Sequence, residues 1–350
     1  MPGFPPHPFG LHRSLDPPGV LPQVARRLDA TPRALDNEIA IAVRALSIDS
    51  ASFRQMREVE AAGGEPIARQ IREIVRDRGK MQNPVTGSGG MLLGEVAAVG
   101  PRHPAAGTLS PGEPIASLVS LTLTPLHLES IGDVHVETER VDVSGTAILF
   151  ARTLYARLPS DFPEEVALAA LDVAGAPATV LRDARAGQTI LVIGTGKAGL
   201  LCLAAAREAV GPEGRVLAVE PSAAAAARAR SLDLADAVFS IDARDPVAML
   251  SGIEAATGGR LADLVVNVAN ASGTEAASVL CARDDGAVLF FGMATSFSAA
   301  ALGAEGLARP TTLLIGNGFV PGHDQTALGL LRRHPPLAAA FASLSGRAGK

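Results

Sequence analysis

From residue 188 onward the chain alternates short apolar runs with helix-like segments, and this rhythm is the feature that most restricts its fold. The apolar runs have the length of buried strands, and the segments between them are long enough to return the chain to the same end of a sheet. Such alternation is typical of right-handed strand–helix–strand units, so the sequence predicts the α/β class with a doubly wound parallel sheet. The predicted strands are 188–194, 215–220, 237–241, 261–269, 286–292 and 311–318, and the predicted helices between them are 197–210, 222–231, 245–256 and 273–282.

The first of these strands runs into a glycine-rich loop that opens a helix. Gly194, Gly196 and Gly199 have the spacing G-x-G-x-x-G. In this pattern the first glycine allows a tight turn, the second lets the backbone approach a pyrophosphate, and the third packs the helix against the strand. Because free N–H groups at a helix start attract phosphate, the loop predicts dinucleotide binding in a Rossmann domain. A purely structural glycine turn is the alternative.

The strand that follows the glycine loop ends in an acidic residue, Glu220. A carboxylate at this point is expected to accept hydrogen bonds from the adenosine ribose hydroxyls and to repel a 2′-phosphate. The sequence therefore favours NAD as the cofactor. Arg228 and Arg230 lie further along the chain and leave NADP open.

Other predicted cofactor-binding residues lie in the loop and at later strand ends. Thr195, Lys197 and Ala198 complete the loop, where Lys197 is either a cation near the cofactor or a solvent-facing residue at the helix start. Asn270 and Met293 follow two later strands. Since ligands bind at the carboxyl ends of parallel strands, both are expected on the nicotinamide side, with turn and packing roles as the alternative.

Composition excludes several classes of protein. The chain has 31 Lys and Arg against 36 Asp and Glu, a net charge of −5, which argues against binding to nucleic acid or an anionic membrane. Two cysteines are too few for a disulfide framework or a four-thiolate zinc site. No secretory signal or membrane-spanning run is visible, so a cytoplasmic protein acting on a small molecule is expected. Only Lys80, Lys197 and Lys350 are lysines, and because lysine and arginine are not interchangeable, Lys80 and Lys197 become candidate functional residues.

The front half of the chain is irregular and rich in predicted strands. We expect strands within 37–48, 113–121 and 133–150, a helical stretch over 53–76 with a Gly-Gly break, and an extended arm over the first 30 residues. A further helix is predicted over 163–181, where proline and acidic residues fill the first turn. The predicted domains are 1–157, joined by the C-terminal 321–350, and the Rossmann domain 158–320.

A β-rich front half followed by a Rossmann domain resembles the medium-chain dehydrogenase/reductase superfamily. Residues 83–100 (NPVTGSGGMLLGEVAAVG) are similar to that superfamily's entry strand, and 169–178 (AALDVAGAPA) to the segment before its dinucleotide domain. The resemblance implies a GroES-like catalytic domain in front of the Rossmann domain. The stretches 47–53 and 172–177, where zinc ligands are usual in the superfamily, contain neither Cys nor His, so a zinc-free member without a bound metal is expected.

A set of blocks along the chain narrows the resemblance to the L-erythro-3,5-diaminohexanoate dehydrogenase family. It runs from about residue 8 to about residue 333, and the long block over 78–92 makes it specific. The blocks are GVLPQ (19–23), DNEI (36–39), SIDSASF (47–53), RGKMQNPVTGSGGML (78–92), LVSLTLTPL (118–126), ALDVAGAPA (170–178), MATSF (293–297), ALGAEG (301–306) and IGNGF (315–319).

This resemblance implies NAD-dependent oxidative deamination of L-erythro-3,5-diaminohexanoate at C3 in lysine fermentation, giving 5-amino-3-oxohexanoate, ammonia and NADH. A homo-oligomer, either a dimer or a dimer of dimers, is expected by analogy with the superfamily, with no nucleic-acid or membrane partner. The main alternative is a zinc-free, NADPH-dependent quinone or enoyl reductase, which would favour a basic residue in place of Glu220. A non-catalytic protein that senses NAD is a second alternative.

The implied substrate carries two ammonium groups, and its reaction needs a base, so acidic residues are the first catalytic candidates. Asp172 lies in the segment that carries a zinc ligand in relatives, and it is the first candidate for the base or for an ammonium anchor. Asp49 follows the strand over 37–48, and Glu305 lies in the segment GAEG (303–306) of the sheet domain, from which it is expected to reach the substrate side. Structural hydrogen bonding is the alternative for each of the three.

Lys80 is the fourth catalytic candidate. It leads into Asn83, Thr86 and Ser88, which together form a polar cluster suited to the substrate carboxylate. A lysine with a lowered pKa is also able to transfer protons. The alternative is a loop lysine that caps a helix end.

Overall fold

The computed structural model describes residues 6–292 and 294–346, which form two compact units, 6–161 and 162–346. Both helices and strands occur in each unit, as the α/β prediction requires. Within these described residues no helix is both long and apolar enough to cross a membrane.

The first unit is built on an antiparallel sheet. Its strands lie side by side in the order β6-β7-β3-β4-β5-β8, and the short β1 and β2 pair separately. The bounds are β1 Ser14–Asp16, β2 Arg27–Leu28, β3 Glu38–Ser47, α1 Ser50–Ala61, α2 Ile67–Arg78, β4 Met91–Val99, β5 Pro114–Ser117, β6 Leu126–His135, β7 Arg140–Phe150 and β8 Tyr155–Arg157.

Two predicted strands of this unit differ from the structure. The stretch 133–150 holds the end of β6 and all of β7, because the chain reverses between them, where Glu139 has a φ of 56°. The stretch 113–121 is extended only over β5, since Ser120 accepts a hydrogen bond from Thr122 N and starts a short 3₁₀ turn. In both stretches a turn interrupts the extended backbone, so the strands are shorter than the apolar residues alone predict.

Helices α1 and α2 cover the sheet of the first unit, with the break between them near the predicted Gly-Gly pair. Ile67, Ile71 and Val75 recur every four residues on α2 and are all buried. On α1, Phe53 and Met56 are buried in the same apolar core. This spacing places one apolar stripe of each helix against the sheet.

The N-terminal arm is held to β3 by a buried ion pair. Arg13 Nε and Nη2 lie 2.9 and 2.6 Å from the two carboxylate oxygens of Glu38, and His12 Nε2 lies 2.7 Å from Oε1. Burial by itself raises the pKa of Glu38, but the hydrogen bonds from His12 and Arg13 and the guanidinium charge outweigh it and lower the pKa to about 2. The predicted extended arm is therefore attached to the unit by charge as well as by packing.

The second unit carries the strand–helix alternation seen in the sequence. Its bounds are α3 Glu164–Leu171, α4 Gly175–Asp183, β9 Thr189–Ile193, α5 Lys197–Val210, β10 Arg215–Val219, α6 Ala223–Ser231, β11 Ala237–Phe239, α7 Pro246–Thr257, β12 Ala262–Asn267, α8 Glu275–Leu280, β13 Ala282–Phe290, α9 Phe297–Gly306, β14 Thr312–Ile315, α10 His323–Arg333 and α11 Pro335–Gly346.

The sheet of this unit is parallel and has the order β11-β10-β9-β12-β13-β14. All five residues of β9 are buried, because the strand lies in the middle of the sheet. After β9 the chain forms β10 and β11 on one side of β9, and it then forms β12, β13 and β14 on the other side. The order therefore reverses between β9 and β12, where open α/β sheets bind ligands. The predicted doubly wound parallel sheet is confirmed.

The C-terminal helices pack within the second unit. Helix α10 contacts α3, α4 and α5, and α11 contacts α3 and α5, with Leu331 and Phe341 buried. This differs from the predicted assignment of 321–350 to the first domain, since the apolar faces of both helices are covered by α3, α4 and α5. The predicted helix over 163–181 is two helices, α3 and α4, separated at residues 172–174.

Candidate active site

The glycine loop of the second unit has the geometry of a pyrophosphate cradle. Gly194 directly follows β9 and has a φ of +92°, which glycine adopts without strain. A Cβ atom at Gly199 would collide with the carbonyl oxygen of Gly194, so only glycine permits this close packing of α5 on the loop. A Cβ at Gly196 would meet no atom within 4 Å, which leaves open space beside that backbone. The backbone of Gly194 and the packing at Gly199 match the predicted turn and packing roles, and the pyrophosphate role of Gly196 stays a prediction.

The start of α5 supplies unpaired donors beside that open space. Gly196 is the N-cap and has no side chain to satisfy the first N–H groups of a 14-residue helix. Lys197 is exposed, Ala198 is half-buried and Thr195 is buried. Main-chain N–H groups and the helix dipole are the usual ligands of a pyrophosphate, so this part of the chain fits a dinucleotide.

Glu220 lies directly after β10 and holds the glycine loop in place. One carboxylate oxygen accepts hydrogen bonds from Thr195 N at 2.9 Å and Thr195 Oγ1 at 3.1 Å, and the other accepts from Ser222 N at 3.0 Å. The predicted acid is therefore beside the predicted loop. Arg230 donates to Val238 O and Ser240 Oγ, whereas Arg228 Nε is buried without a hydrogen-bond partner among the described residues.

The last residue of β12 is one that sequence reasoning missed. Asn270 is exposed, but the buried Asn267 at the strand end donates to Thr274 and Ser278 and accepts from Ala269 N. Its amide shapes the turn that passes beside Gly194. The signal in the sequence was a polar residue, Asn267, at the end of an apolar strand. Met293 lies outside the described residues.

In the first unit, Asp49 is the N-cap of α1. Its Oδ1 accepts a hydrogen bond from Ser52 N at 2.9 Å. Its Oδ2 is buried and has no hydrogen-bond partner among the described residues. An unpaired carboxylate oxygen away from water is costly, so this atom is suited to a donor supplied by a ligand, such as an ammonium group.

The polar loop over 83–88 is attached to the same helix. Asn83 Nδ2 donates to Gln55 Oε1 at 2.9 Å, and the hydroxyls of Thr86 and Ser52 lie 2.5 Å apart. Ser88 is half-buried, and its N–H donates to Thr86 Oγ1 at 3.3 Å. The structure thus brings Asn83, Thr86 and Ser88 into one cluster held by α1. Ser52 and Gln55 were not found from sequence, because their partners lie about 30 residues away in the chain.

Lys80 has surroundings that differ from the expected ones. Its side chain is fully buried, and Nζ donates to Pro22 O at 2.7 Å, with Gln23 O at 3.5 Å. Burial and the nearby charge of Arg78 lower the pKa of Lys80 to about 8. The sequence placed this ammonium toward the substrate, whereas its hydrogen bonds connect the polar loop segment to the N-terminal arm.

The other two acidic candidates lie in the second unit. Asp172 is the exposed C-cap residue of α3, and its side chain takes part in further interactions. Glu305 is exposed near the end of α9. Across residues 6–292 and 294–346, no group of three or more His, Cys, Asp or Glu side chains is arranged to hold a metal ion.

Solved structures that are similar to this chain show its fold. An alcohol dehydrogenase from Thermotoga maritima aligns with 89% of this chain and 86% of its own, with a TM-score of 0.56 and 15% identity. A mycobacterial quinone oxidoreductase aligns with 93% of this chain and 86% of its own, with a TM-score of 0.54 and 20% identity, and a mycobacterial protein complexed with NADPH gives a TM-score of 0.53 at 22% identity. The chain therefore has the medium-chain dehydrogenase/reductase fold, with a GroES-like first domain and a Rossmann second domain.

More similar sequences identify the family. A family model described as the L-erythro-3,5-diaminohexanoate dehydrogenase N-terminal domain matches residues 12–159. Curated proteins of that name from Acetoanaerobium sticklandii and Fusobacterium nucleatum are 43% and 42% identical over 334 residues, which cover 95% of this chain and 97% of each relative. The chain belongs to the L-erythro-3,5-diaminohexanoate dehydrogenase family and is an oxidoreductase.

Proposed function

We propose that this enzyme catalyses the NAD-dependent oxidative deamination of L-erythro-3,5-diaminohexanoate at C3, giving 5-amino-3-oxohexanoate, ammonia and NADH, as a step of lysine fermentation. The observation that carries the proposal is 43% identity, over 95% of the chain, to a protein named for this substrate. The glycine loop and Glu220 support a nicotinamide cofactor, which accepts the hydride when bound.

NAD is the proposed cofactor because of the charge beside the loop. Main-chain N–H groups at the start of α5 would hold the pyrophosphate, and Lys197 would add a positive charge nearby. The Glu220 carboxylate would repel the 2′-phosphate of NADP. Arg230, which could otherwise attract that phosphate, is hydrogen-bonded to Val238 and Ser240.

The substrate's ammonium groups need carboxylates, and its carboxylate needs donors. We assign Asp49 Oδ2 to an ammonium group, since this buried oxygen accepts no hydrogen bond from residues 6–292 or 294–346. The cluster of Asn83, Thr86 and Ser88 offers hydroxyl, amide and main-chain groups for the substrate carboxylate.

The C3 ammonium must lose a proton before hydride leaves the carbon, and water must then add to the resulting iminium. One carboxylate able to take up and return a proton serves both steps. Asp172 is the first candidate for this base and Glu305 the second. No step of the proposal uses a metal ion.

The direct test follows the ultraviolet absorbance of NADH while the full-length protein acts on NAD and L-erythro-3,5-diaminohexanoate. We expect NADH and one ammonia for each substrate consumed, and we expect the rate to survive dialysis against a chelator. A folded protein that forms no NADH from this substrate, but oxidises NADPH with a quinone or an enone, contradicts the proposal and supports a reductase.

The role of Asp49 is tested by Asp49→Asn. Asparagine also caps helices, so α1 stays folded while the negative charge is lost. A hydrogen bond to a charged group contributes about 1.5–3 kcal/mol, so KM for the diamino acid is expected to rise by roughly 10-fold or more while KM for NAD stays unchanged. Asp245→Asn, at the N-cap of α7, is the matched control. An unchanged KM in Asp49→Asn would remove Asp49 from the substrate site without affecting the proposed reaction.

A further inference from the structure

A cavity of about 550 Å³ opens in the first unit, between α2, β6 and the segment around β2. None of the residues proposed above for substrate or cofactor lines it. Its volume lies within the range of about 300–1,000 Å³ that is usual for small-molecule sites. The cavity is therefore large enough to bind a small molecule, and the proposed reaction gives its lining residues no role.

The floor of this cavity is apolar. Leu28, Val75 and Leu126 are buried side chains that contribute to it. Leu15 also lines it and is 47% exposed, although it is a large aliphatic residue. Of these four residues, Leu15 therefore offers the apolar surface that the body of a ligand would cover and remove from water.

Three arginines lie around the same cavity. Arg27 comes from β2, while Arg72 and Arg76 lie four residues apart on one face of α2. None of the three side chains has an ion-pair or hydrogen-bond partner in the part of the chain that the structure describes. Their guanidinium groups are exposed and free to bind a ligand.

Acidic side chains close to the arginines are already engaged. Glu73 pairs with Arg69, and Asp77 pairs with Arg26. Asp29, the one carboxylate that lines the cavity, accepts hydrogen bonds from Thr31 N and Oγ1. Asp29 Oδ2 also lies 3.6 Å from Arg13 Nη1. The lining thus carries three arginines against one carboxylate, and His127 is the remaining ionisable group in the lining.

We propose that this cavity binds a small organic phosphate monoester with an apolar body. Like charges four residues apart destabilise a helix, and a bound anion between Arg72 and Arg76 would relieve that repulsion. Guanidinium groups form paired hydrogen bonds with phosphate oxygens, and three of them match the two charges and three terminal oxygens of a monoester. The apolar body of the ligand would lie against the concave apolar floor of the cavity. A flat protein surface would not fill this concave shape.

The test is calorimetric titration of the full-length protein with phenyl phosphate. We expect saturable binding with a dissociation constant of about 1 mM or tighter, and at least 10-fold weaker binding of inorganic phosphate, which lacks the apolar body. The double variant Arg72→Gln/Arg76→Gln should weaken phenyl phosphate binding at least 10-fold. Arg54→Gln/Arg57→Gln removes the same charge from exposed positions of α1 outside the cavity and should leave binding unchanged.

Two further single variants distinguish binding in the cavity from an effect on α2 alone and from binding at the glycine loop. Arg27→Gln lies on a different element and should also weaken binding, so the effect does not depend on α2 alone. Lys197→Gln tests the glycine loop, the other phosphate-binding element, and should have no effect. Equal affinity in the α2 and α1 double variants, or loss only in Lys197→Gln, overturns the proposal. A wild-type protein that does not bind phenyl phosphate, but changes its oligomeric mass when Arg72 and Arg76 are replaced, also overturns it and makes the cavity a contact between copies of the chain.

Discussion

Burial decides the chemistry of Lys80. Its ammonium is fully buried and hydrogen-bonded to Pro22 O, with no carboxylate among its hydrogen-bond partners. The pKa falls from 10.5 to about 8 because burial disfavours the charged form, with a smaller effect from Arg78. These surroundings favour a structural connection between the N-terminal arm and the 78–92 segment over direct contact with a substrate.

Lys80→Met tests this reading through the pH dependence of stability. Between the folded pKa of about 8 and the unfolded value of 10.5, the unfolded chain binds more protons at Lys80 than the folded chain does. The free energy of unfolding therefore rises with pH across this window, by about 1.4 kcal/mol for each unit between the two pKa values, and the penalty is complete below about 8. In urea titrations, Lys80→Met should lose this rise, whereas the exposed Lys197→Met should keep it. If the free energy of unfolding of the wild-type protein depended on pH as little as that of Lys80→Met, the result would contradict a buried charge at Lys80.

Residues of the site differ in how far they could be predicted. Gly194, Gly199 and Glu220 were found because their spacing follows from one local strand–loop–helix unit. Ser52 was missed because its partner Thr86 lies 34 residues away in the chain. Asn267 was missed although its partners Thr274 and Ser278 lie only 7 and 11 residues further on and it ends an apolar strand. Long-range hydrogen bonds leave no periodic trace in the sequence.

At the scale of elements, the loop between β9 and α5 combines two requirements in neighbouring residues. Gly199 is needed for packing, since a Cβ would strike Gly194 O, whereas Gly196 faces open space. The packing of α5 therefore depends on Gly199, and the proposed contact with a pyrophosphate depends on Gly196.

Replacing each glycine by alanine should separate the two requirements. Gly199→Ala should lower the free energy of unfolding by about 1–3 kcal/mol, as overpacking does. Gly196→Ala should keep stability within about 0.5 kcal/mol, because its φ of −69° and its free space suit alanine. It should nevertheless weaken NADH binding, since the methyl group occupies the pyrophosphate space. Thermal unfolding and NADH titration measure the two effects, and a Gly196→Ala protein with normal NADH affinity would place the pyrophosphate elsewhere.

One edge of the sheet in the second unit is a candidate contact between copies of the chain. β14 is its last strand, so one edge of β14 has no partner strand among the described residues. Ile315 on this strand is 62% exposed. Exposed edge strands that carry apolar residues often pair with another chain, and the expected homo-oligomer would form in this way by extending the sheet across a two-fold axis.

We propose that β14 forms a contact of the expected dimer or dimer of dimers, so Ile315→Lys should lower the oligomeric mass because it places a charge on that edge. Light scattering after gel filtration measures the mass. Val247→Lys, which changes a 72% exposed residue of α7, is the control and should leave the mass unchanged. A dimer that persists in Ile315→Lys would show that β14 is not the contact.

By itself, the sequence determined the parallel sheet, the glycine loop, the acid after β10 and the family, because all of these depend on local periodicity, spacing or extended similarity. Only the tertiary structure decided that Lys80 is buried, that one oxygen of Asp49 has no donor within the described part of the chain, and that α10 and α11 pack with the second unit. It also brought Arg27 beside Arg72 and Arg76. The physical reason is that burial, unpaired polar atoms and clustered charge depend on which distant segments meet, and a sequence pattern records only the neighbours along the chain.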